Sequence, residues 1–178
     1  MKSNKLNIGS GADIRKGYIN LDIVKLPGVD VVWDVDKYPW PFESGRFEEI
    51  IAYQILEHVE DPLKFLEEVC RVSKDNAKVV IETPHHASGN AYADVSHKNF
   101  FNLQAFINLT QNKDKISNEE VKSKKIRFNL ESSKIELIKF KFLERLINKF
   151  NKLYDYGLCY IVRPVNMRIV LRVAKRTK

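Results

Sequence analysis

"LNIGSGADIRKGYINLD", residues Leu6–Asp22, is the stretch on which the fold turns. An apolar run over Lys5–Ile8 reads as a short buried strand that passes straight into Gly9-Ser10-Gly11, and Tyr18–Ile23 reads as a second strand. A strand ending in Gly-x-Gly lets backbone approach a neighbour closely, because neither glycine carries a Cβ and both accept positive φ. Ala12 to Leu21 are all that separate Gly11 from Asp22. The crossover is therefore near the minimum of about a dozen residues for joining parallel strands, and the first helix, expected within it, must be short or distorted. In an open parallel sheet the ligand crevice lies outside the carboxyl ends of the strands, where this turn sits. Asp22, at the end of the second strand, can accept two hydrogen bonds from a ribose diol and disfavours a 2′-phosphate. Gly-x-Gly alone is equally the sequence of an ordinary tight turn, and the third glycine of the dinucleotide fingerprint is missing.

Outward from that stretch, Val29–Trp33 and Phe47–Tyr53 read as the third and fourth strands. In "EDPLKFLEEVCRVS", Asp61 is a good N-cap, Pro62 suits the first helical position, and Leu63, Leu66, Val69 and Cys70 mark one helical face. Lys78–Thr83 is a fifth strand closed by Pro84. Strands alternating with helical or short crossing segments predict a mostly parallel sheet with helices on both faces. A polar loop, "HHASGNAYADVSHKN" (His85–Asn99), precedes a helix over Leu103–Leu109, and the charged residues 112–125 read as a mobile loop or insertion. Ile126–Leu137 and Val165–Ala174 return to strand patterns. Between them, residues 139–154 form a basic amphipathic helix with Leu143, Leu146, Ile147, Phe150 and Tyr154 on one stripe. Packing on the sheet is its commonest fate, and peripheral contact with a membrane or a partner is the alternative.

A chain of 178 residues that is 44% hydrophobic can bury one core, so residues 1–178 read as a single domain. No apolar stretch approaches the ~20 residues of a membrane span and no apolar signal core opens the chain, which predicts a soluble, cytoplasmic protein. Cys70 and Cys159 are far apart and lack a C-x-x-C partner, as reduced, buried thiols would be. Charge is divided unevenly: residues 1–100 hold 12 Lys/Arg against 16 Asp/Glu, and residues 101–178 hold 18 against 7. The basic half can attract an anionic partner or can simply be a solvated face.

Taken together, "LNIGSG", "GYINLDI", "DVVWDVDKYPWPFESGRFEEIIAYQILEHVEDPLKFLEEVCRVSK" and "VVIETPHH" make the stretch from Leu6 to about Phe101 resemble the class I S-adenosylmethionine-dependent methyltransferases, in particular their short type 11-like members. The resemblance implies an α/β, Rossmann-like three-layer αβα sandwich with a mostly parallel seven-stranded sheet in the order 3-2-1-4-5-7-6, the last strand antiparallel. It implies S-adenosylmethionine as cofactor, with Gly9, Ser10 and Gly11 against its methionine part. Asp22 would hold the ribose hydroxyls, Ile23 beside it would also touch the cofactor, Asp34 and Val35 would face the adenine, and Tyr53 and Gln54 would line the floor beneath the methyl group. Ser10 stands where many relatives carry cysteine, and Asn76-Ala77 replaces their Gly-Gly turn; Asn accepts left-handed geometry. A cofactor without phosphates can dispense with the third glycine, and its cations suit an acidic half-domain.

Methyl transfer from a sulfonium is an in-line displacement, so catalysis is largely alignment, with a general base needed only if the acceptor must lose a proton. Candidates for that role are His97, His86 and Asp94, then His85, all in the loop after the fifth strand. The same residues could merely hold the loop shut. Their spacing fits no compact helical metal motif, so no metal ligands are assigned. His58 reads as a helix-start packing or capping residue. The acceptor is open between a small or lipid-linked saccharide, a nucleic-acid group and a protein side chain. The basic half favours an anionic one, a glycan-related or other small acceptor is preferred, and no RNA module supports nucleic acid. A non-catalytic S-adenosylmethionine- or nucleic-acid-binding protein and an NAD-dependent oxidoreductase are the competing readings; the latter requires the absent third glycine.

Overall fold

A computed structural model describes residues 3–111, 126–137 and 141–175. In chain order they form β1 (Lys5–Ile8), β2 (Ile19–Asp22), β3 (Val31–Val32), β4 (Phe47–Tyr53), α1 (Pro62–Val72), β5 (Ser73–Pro84), α2 (Asn90–Ala93), α3 (Leu103–Gln111), β6 (Phe128–Ile135), α4 (Lys141–Lys149), α5 (Asn151–Tyr156) and β7 (Asn166–Val173). The strands make one sheet in the order β3-β2-β1-β4-β5-β7-β6. β1 through β5 pair in parallel, whereas β7 runs antiparallel to both β5 and β6. That is the Rossmann-like order the resemblance implied.

Patterning explains which strands lie where. Leu6, Ile8, Ile50, Ile51, Val79, Val80 and Ile81 are all buried, as continuous apolar runs are when helices cover both faces of a sheet. β7 alternates instead: Met167, Ile169, Leu171 and Val173 point into the core, while Arg168 pairs with Glu82 and Arg172 with Glu131. At the start of α1, Asp61 accepts from the backbone N–H groups of Leu63 (2.9 Å) and Lys64 (3.0 Å), the capping its sequence predicts. Phe65, Leu66, Val69 and Val72 bury the inner face of that helix, and Trp40 packs edge-on against Phe65 with ring centroids 5.3 Å apart.

Four elements differ from the sequence reading. The crossover from β1 to β2 contains no helix, short or distorted; two buried asparagines hold it instead. Asn7 Nδ2 donates to the Asp13 carbonyl (2.8 Å) and to Asn20 Oδ1 (3.0 Å), which also accepts from the Arg15 N–H (2.9 Å). β3 shrinks to two residues at the sheet edge. β5 begins at Ser73, directly after α1, and crosses a left-handed Asn76 (φ 61°) before its continuous run. The basic helix breaks at Phe150 (φ −120°, ψ 38°) into α4 and α5. Ile147 and Tyr154 of its stripe are buried, whereas Leu146 and Phe150 are exposed beside Phe142 and Leu153. The insertion assigned to 112–125, and Lys139, lie outside the described residues. No helix among the described residues is long and apolar enough to cross a membrane.

Candidate functional site

The glycine turn and Asp22 are one unit. Gly9 (φ 65°) and Gly11 (φ 47°) bend the chain at the end of β1 in a region that L side chains avoid. That bend delivers the Gly11 N–H to Asp22 Oδ2 at 2.7 Å, and the Val24 N–H reaches Oδ1 at 2.9 Å. Each carboxylate oxygen thus takes one backbone donor. A carboxylate has about four lone-pair sites, so one on each oxygen stays available. Asp22 lines a cavity of about 230 Å³ at the carboxyl ends of the strands, together with Gly9, Ile23, Asp34, Val35 and the opposing His58. Trp33, Asp36, Ile55 and Lys98 complete much of the wall. Turns brace it: Asp34 Oδ1 accepts from the Asp36 N–H (3.0 Å), Asp36 Oδ1 accepts from the Glu60 N–H (3.0 Å), and Lys98 Nζ reaches Glu60 at 2.6 Å. A larger cavity, about 660 Å³, runs along α1 between Tyr38, Arg71, Arg127 and Lys175 and contains none of these residues.

Four residues assigned to the cofactor stand outside that lining. Ser10 is buried behind the turn, its N–H on the Leu21 carbonyl (3.0 Å), and Gly11 is engaged by Asp22. Tyr53 carries the guanidinium groups of Arg15 (4.9 Å) and Arg168 (5.3 Å) over its ring. Gln54 is exposed and left-handed (φ 50°), its N–H on the Glu82 carbonyl. That kink is the physical reason for the change, since it turns Ile55 rather than Tyr53 or Gln54 towards the glycine turn. A Cβ built on Gly9 would meet three Ile55 atoms at 3.0 Å.

The loop after β5 splits its titratable residues between two clusters. In the first, His58 and His97 stack edge to face with ring centroids 4.7 Å apart, next to the buried Glu57. His97 Nδ1 lies 2.9 Å from the Ala91 carbonyl. Ser96 Oγ lies 2.6 Å from Asp94 Oδ1 and 3.0 Å from His58 Nδ1. Bonds from the Ser96 hydroxyl and N–H hold the exposed Asp94 carboxyl below the usual range, so Asp94 stays ionised and orients Ser96. Burial pushes the Glu57 carboxyl up. His58 does not cap α1, a role filled by Asp61. In the second cluster the fully buried His85 bonds Asp155 Oδ1 through Nε2 (2.7 Å) and accepts from the Ala87 N–H at Nδ1 (3.1 Å). His86 packs 4.5 Å from the His85 ring, and burial, then the electrostatic cost of a second positive imidazole beside His85, lowers its pKa. His86 and His97 are therefore not one site. Trp33, Ile55 and Lys98 were unread as site residues; Ile55 and Lys98 carry no signal beyond following β4 and flanking a histidine.

A family model described as a methyltransferase domain matches residues 8–120. No curated protein sequence matches the chain. Among solved structures, an S-adenosylmethionine-dependent methyltransferase from Archaeoglobus fulgidus is 19% identical with a TM-score of 0.59, the match covering 96% of this chain and 86% of that one. One from Mesorhizobium loti is 13% identical with a TM-score of 0.57, covering 96% and 91%. Phosphoethanolamine N-methyltransferase 2 of Haemonchus contortus, in complex with S-adenosyl-L-methionine, is 18% identical with a TM-score of 0.55, covering 99% of this chain and 50% of that one.

Proposed function

Because the chain belongs to the methyltransferase-domain family, we propose that it is an enzyme that transfers a methyl group from S-adenosylmethionine to a small acceptor. One observation carries the reading: Gly9, Asp22, Asp34 and Val35, drawn from three strand ends, line a single cavity, with Asp22 fixed by the Gly11 N–H. The free lone pairs of Asp22 take the ribose diol, Ile23, Asp34 and Val35 flank the adenine, and the methionine portion runs over Gly9 and Ile55. Ser10 and Gly11 shape that turn, and Tyr53 and Gln54 bound it from outside. At about 230 Å³ the enclosed part is just short of the ~300 Å³ at which small-molecule sites begin, so the reactive end of the cofactor extends through its mouth. Three carboxylates on the wall, Asp22, Asp34 and Asp36, favour a ligand carrying a sulfonium and an ammonium.

The donor arrives activated, so the protein contributes alignment and, where the acceptor ionises, a route for its proton. His58 and His97 supply that route: their proximity to the crevice wall favours them over His86, and Asp94 is a positioning residue through Ser96. A glycan-related or anionic acceptor is the finer reading, supported by the excess of basic residues beyond position 100. Several of those cations, Lys134, Arg168 and Arg172, are engaged in ion pairs within the sheet and its edge. Calorimetric titration with S-adenosylmethionine, S-adenosylhomocysteine and NADH tests the cofactor assignment, and a labelled-methyl screen against fractionated extract tests turnover. Binding of the first two ligands alone is expected. Tight NADH binding overturns the cofactor assignment, and binding without any transfer leaves a regulatory S-adenosylmethionine-binding protein.

A further inference from the structure

Glu57 is 1% exposed, and while Oε2 accepts from the Thr83 hydroxyl (3.0 Å), Oε1 has no hydrogen-bond partner. A buried carboxylate oxygen left bare is costly. Two imidazoles stand next to it, and their proton positions follow from their partners. A carbonyl only accepts, so His97 Nδ1 at 2.9 Å from the Ala91 oxygen carries the proton, and its lone pair is on Nε2. Ser96 has one hydroxyl proton, and the 2.6 Å contact with ionised Asp94 consumes it. Its oxygen therefore accepts from His58 Nδ1 (3.0 Å), which places the second lone pair on His58 Nε2. Both rings are thus anchored through one N–H, to a carbonyl and to a serine–carboxylate relay, which is how metal-binding histidines are oriented. One ligand-type atom from each of Glu57, His58 and His97 lies within 4.8 Å of the other two.

We propose that Glu57, His58 and His97 bind one divalent cation of the transition series at the wall of the crevice. Ligands each about 2.1 Å from a tetrahedral ion are about 3.4 Å apart, so shifts of under about 1 Å at each of the three side chains close the triad. Two imidazoles and a carboxylate suit Zn²⁺, Co²⁺, Mn²⁺ or Fe²⁺ better than the oxygen-seeking Ca²⁺ and Mg²⁺. The other compact group, His85, His86 and Asp155, is unsuitable, because both nitrogens of His85 are already bonded. The histidines and the aspartate of the loop have no metal-binding spacing in sequence; the fold replaces three of those four residues with Glu57 and His58 from the segment between β4 and α1. His58 lines the cofactor cavity, so positions not filled by protein are available to water or to an acceptor oxygen. On the methyl-transfer reading, on which only this last step rests, His58 and His97 in the loaded site would be ligands and not proton acceptors, and the cation would lower the pKa of a bound acceptor hydroxyl in place of a histidine base.

The test uses the full chain stripped with chelator, without cofactor, titrated with Co²⁺ and followed by visible absorption and calorimetry. The expected result is one equivalent with a ligand-field band, abolished by Glu57→Gln and His97→Ala. Ser96→Ala, in an exposed loop, leaves the fold intact and weakens Co²⁺ by about 10- to 100-fold, the scale of an outer-shell partner. His86→Ala binds Co²⁺ like wild type, and Asp22→Ala keeps Co²⁺ while losing S-adenosylhomocysteine, which separates the two sites. The proposal is overturned by absence of the band, by binding that survives both Glu57→Gln and His97→Ala, or by loss of binding in His86→Ala.

Discussion

Substitution at Asp22 probes the crevice most directly, because the carboxylate has two duties. Its oxygens accept the Gly11 N–H at 2.7 Å and the Val24 N–H at 2.9 Å, and their two remaining lone pairs match the two hydroxyls of a vicinal diol. Asp22→Ala removes both ligand bonds. Hydrogen bonds to a charged group contribute about 1.5–3 kcal/mol each. Asp22 is half-buried, so the lower figure applies and the pair amounts to about 3 kcal/mol, or a little over 100-fold in Kd. The freed Gly11 and Val24 donors also loosen the turn, at about 1–2 kcal/mol of folding stability.

Asparagine at this position does not rescue binding. One amide oxygen can serve one backbone N–H, but the NH₂ group then meets the other as donor against donor. Asp22→Asn is accordingly expected to weaken S-adenosylhomocysteine nearly as much as Asp22→Ala. Calorimetry with that unreactive product reads the affinity, and urea unfolding of the same samples reads the stability. An Asp22→Ala protein that is folded and binds within threefold of wild type would refute the diol assignment.

Gly9→Ala forces a left-handed alanine and sets a Cβ 3.0 Å from Ile55. It should lower stability by about 1–3 kcal/mol, seen as a reduced denaturation midpoint; adding Ile55→Ala should restore only the part due to contact. Asn20→Ala strands one of the two Asn7 amide protons and the Arg15 N–H. A loss of about 2–4 kcal/mol is expected, with amide exchange rising first across residues 10–18; unchanged exchange there would contradict the role given to the asparagines. Burial and His85 lower the His86 pKa, so the native state resists a proton that the unfolded chain accepts below about pH 6.5. Stability should therefore fall as pH drops from about 6.5, and His86→Gln should flatten that limb. Coincident slopes for the two proteins between pH 7.5 and 5.5 would dismiss it.

What could be read from sequence was what depends on neighbours in the chain. β1 and β4 are short strand patterns, Leu6 and Ile8 about a polar Asn7 and Ile50-Ile51-Ala52 after two glutamates, and both occupy the residues those patterns mark. Asp61-Pro62 fixes the start of α1 because a cap and its first turn are contiguous. Gly9, Asp22, Asp34 and Val35 share a cavity wall for a related reason: each ends or follows a strand, and parallel strands deliver their ends to one edge; the roles given them toward a cofactor came from the resemblance. Features set by distant partners were not legible. The helix-free crossover depends on Asn7 meeting Asn20, and Tyr53 and Gln54 leave the crevice lining because Gln54 is left-handed (φ 50°), which nothing in "AYQIL" announces.

The histidine loop shows why proximity in sequence misleads about chemistry. His85, His86, Asp94 and His97 crowd together in the chain, yet a bridge between His85 and Phe101 closes the segment into an excursion whose ends meet. At its base His85 turns inward, fully buried, to Asp155, 70 residues away. Near its far end the Lys98 and Asn99 N–H groups clamp onto the Glu57 carbonyl at 2.8 and 3.1 Å. Between those clamps the chain returns His97 to His58 and Ser96 to His58, 38 residues apart. Closure of the loop thus requires one histidine to be structural, with both ring nitrogens spent. The same closure sets His97 against His58, a residue of the crevice wall, and so brings one loop histidine to the place where chemistry can use it.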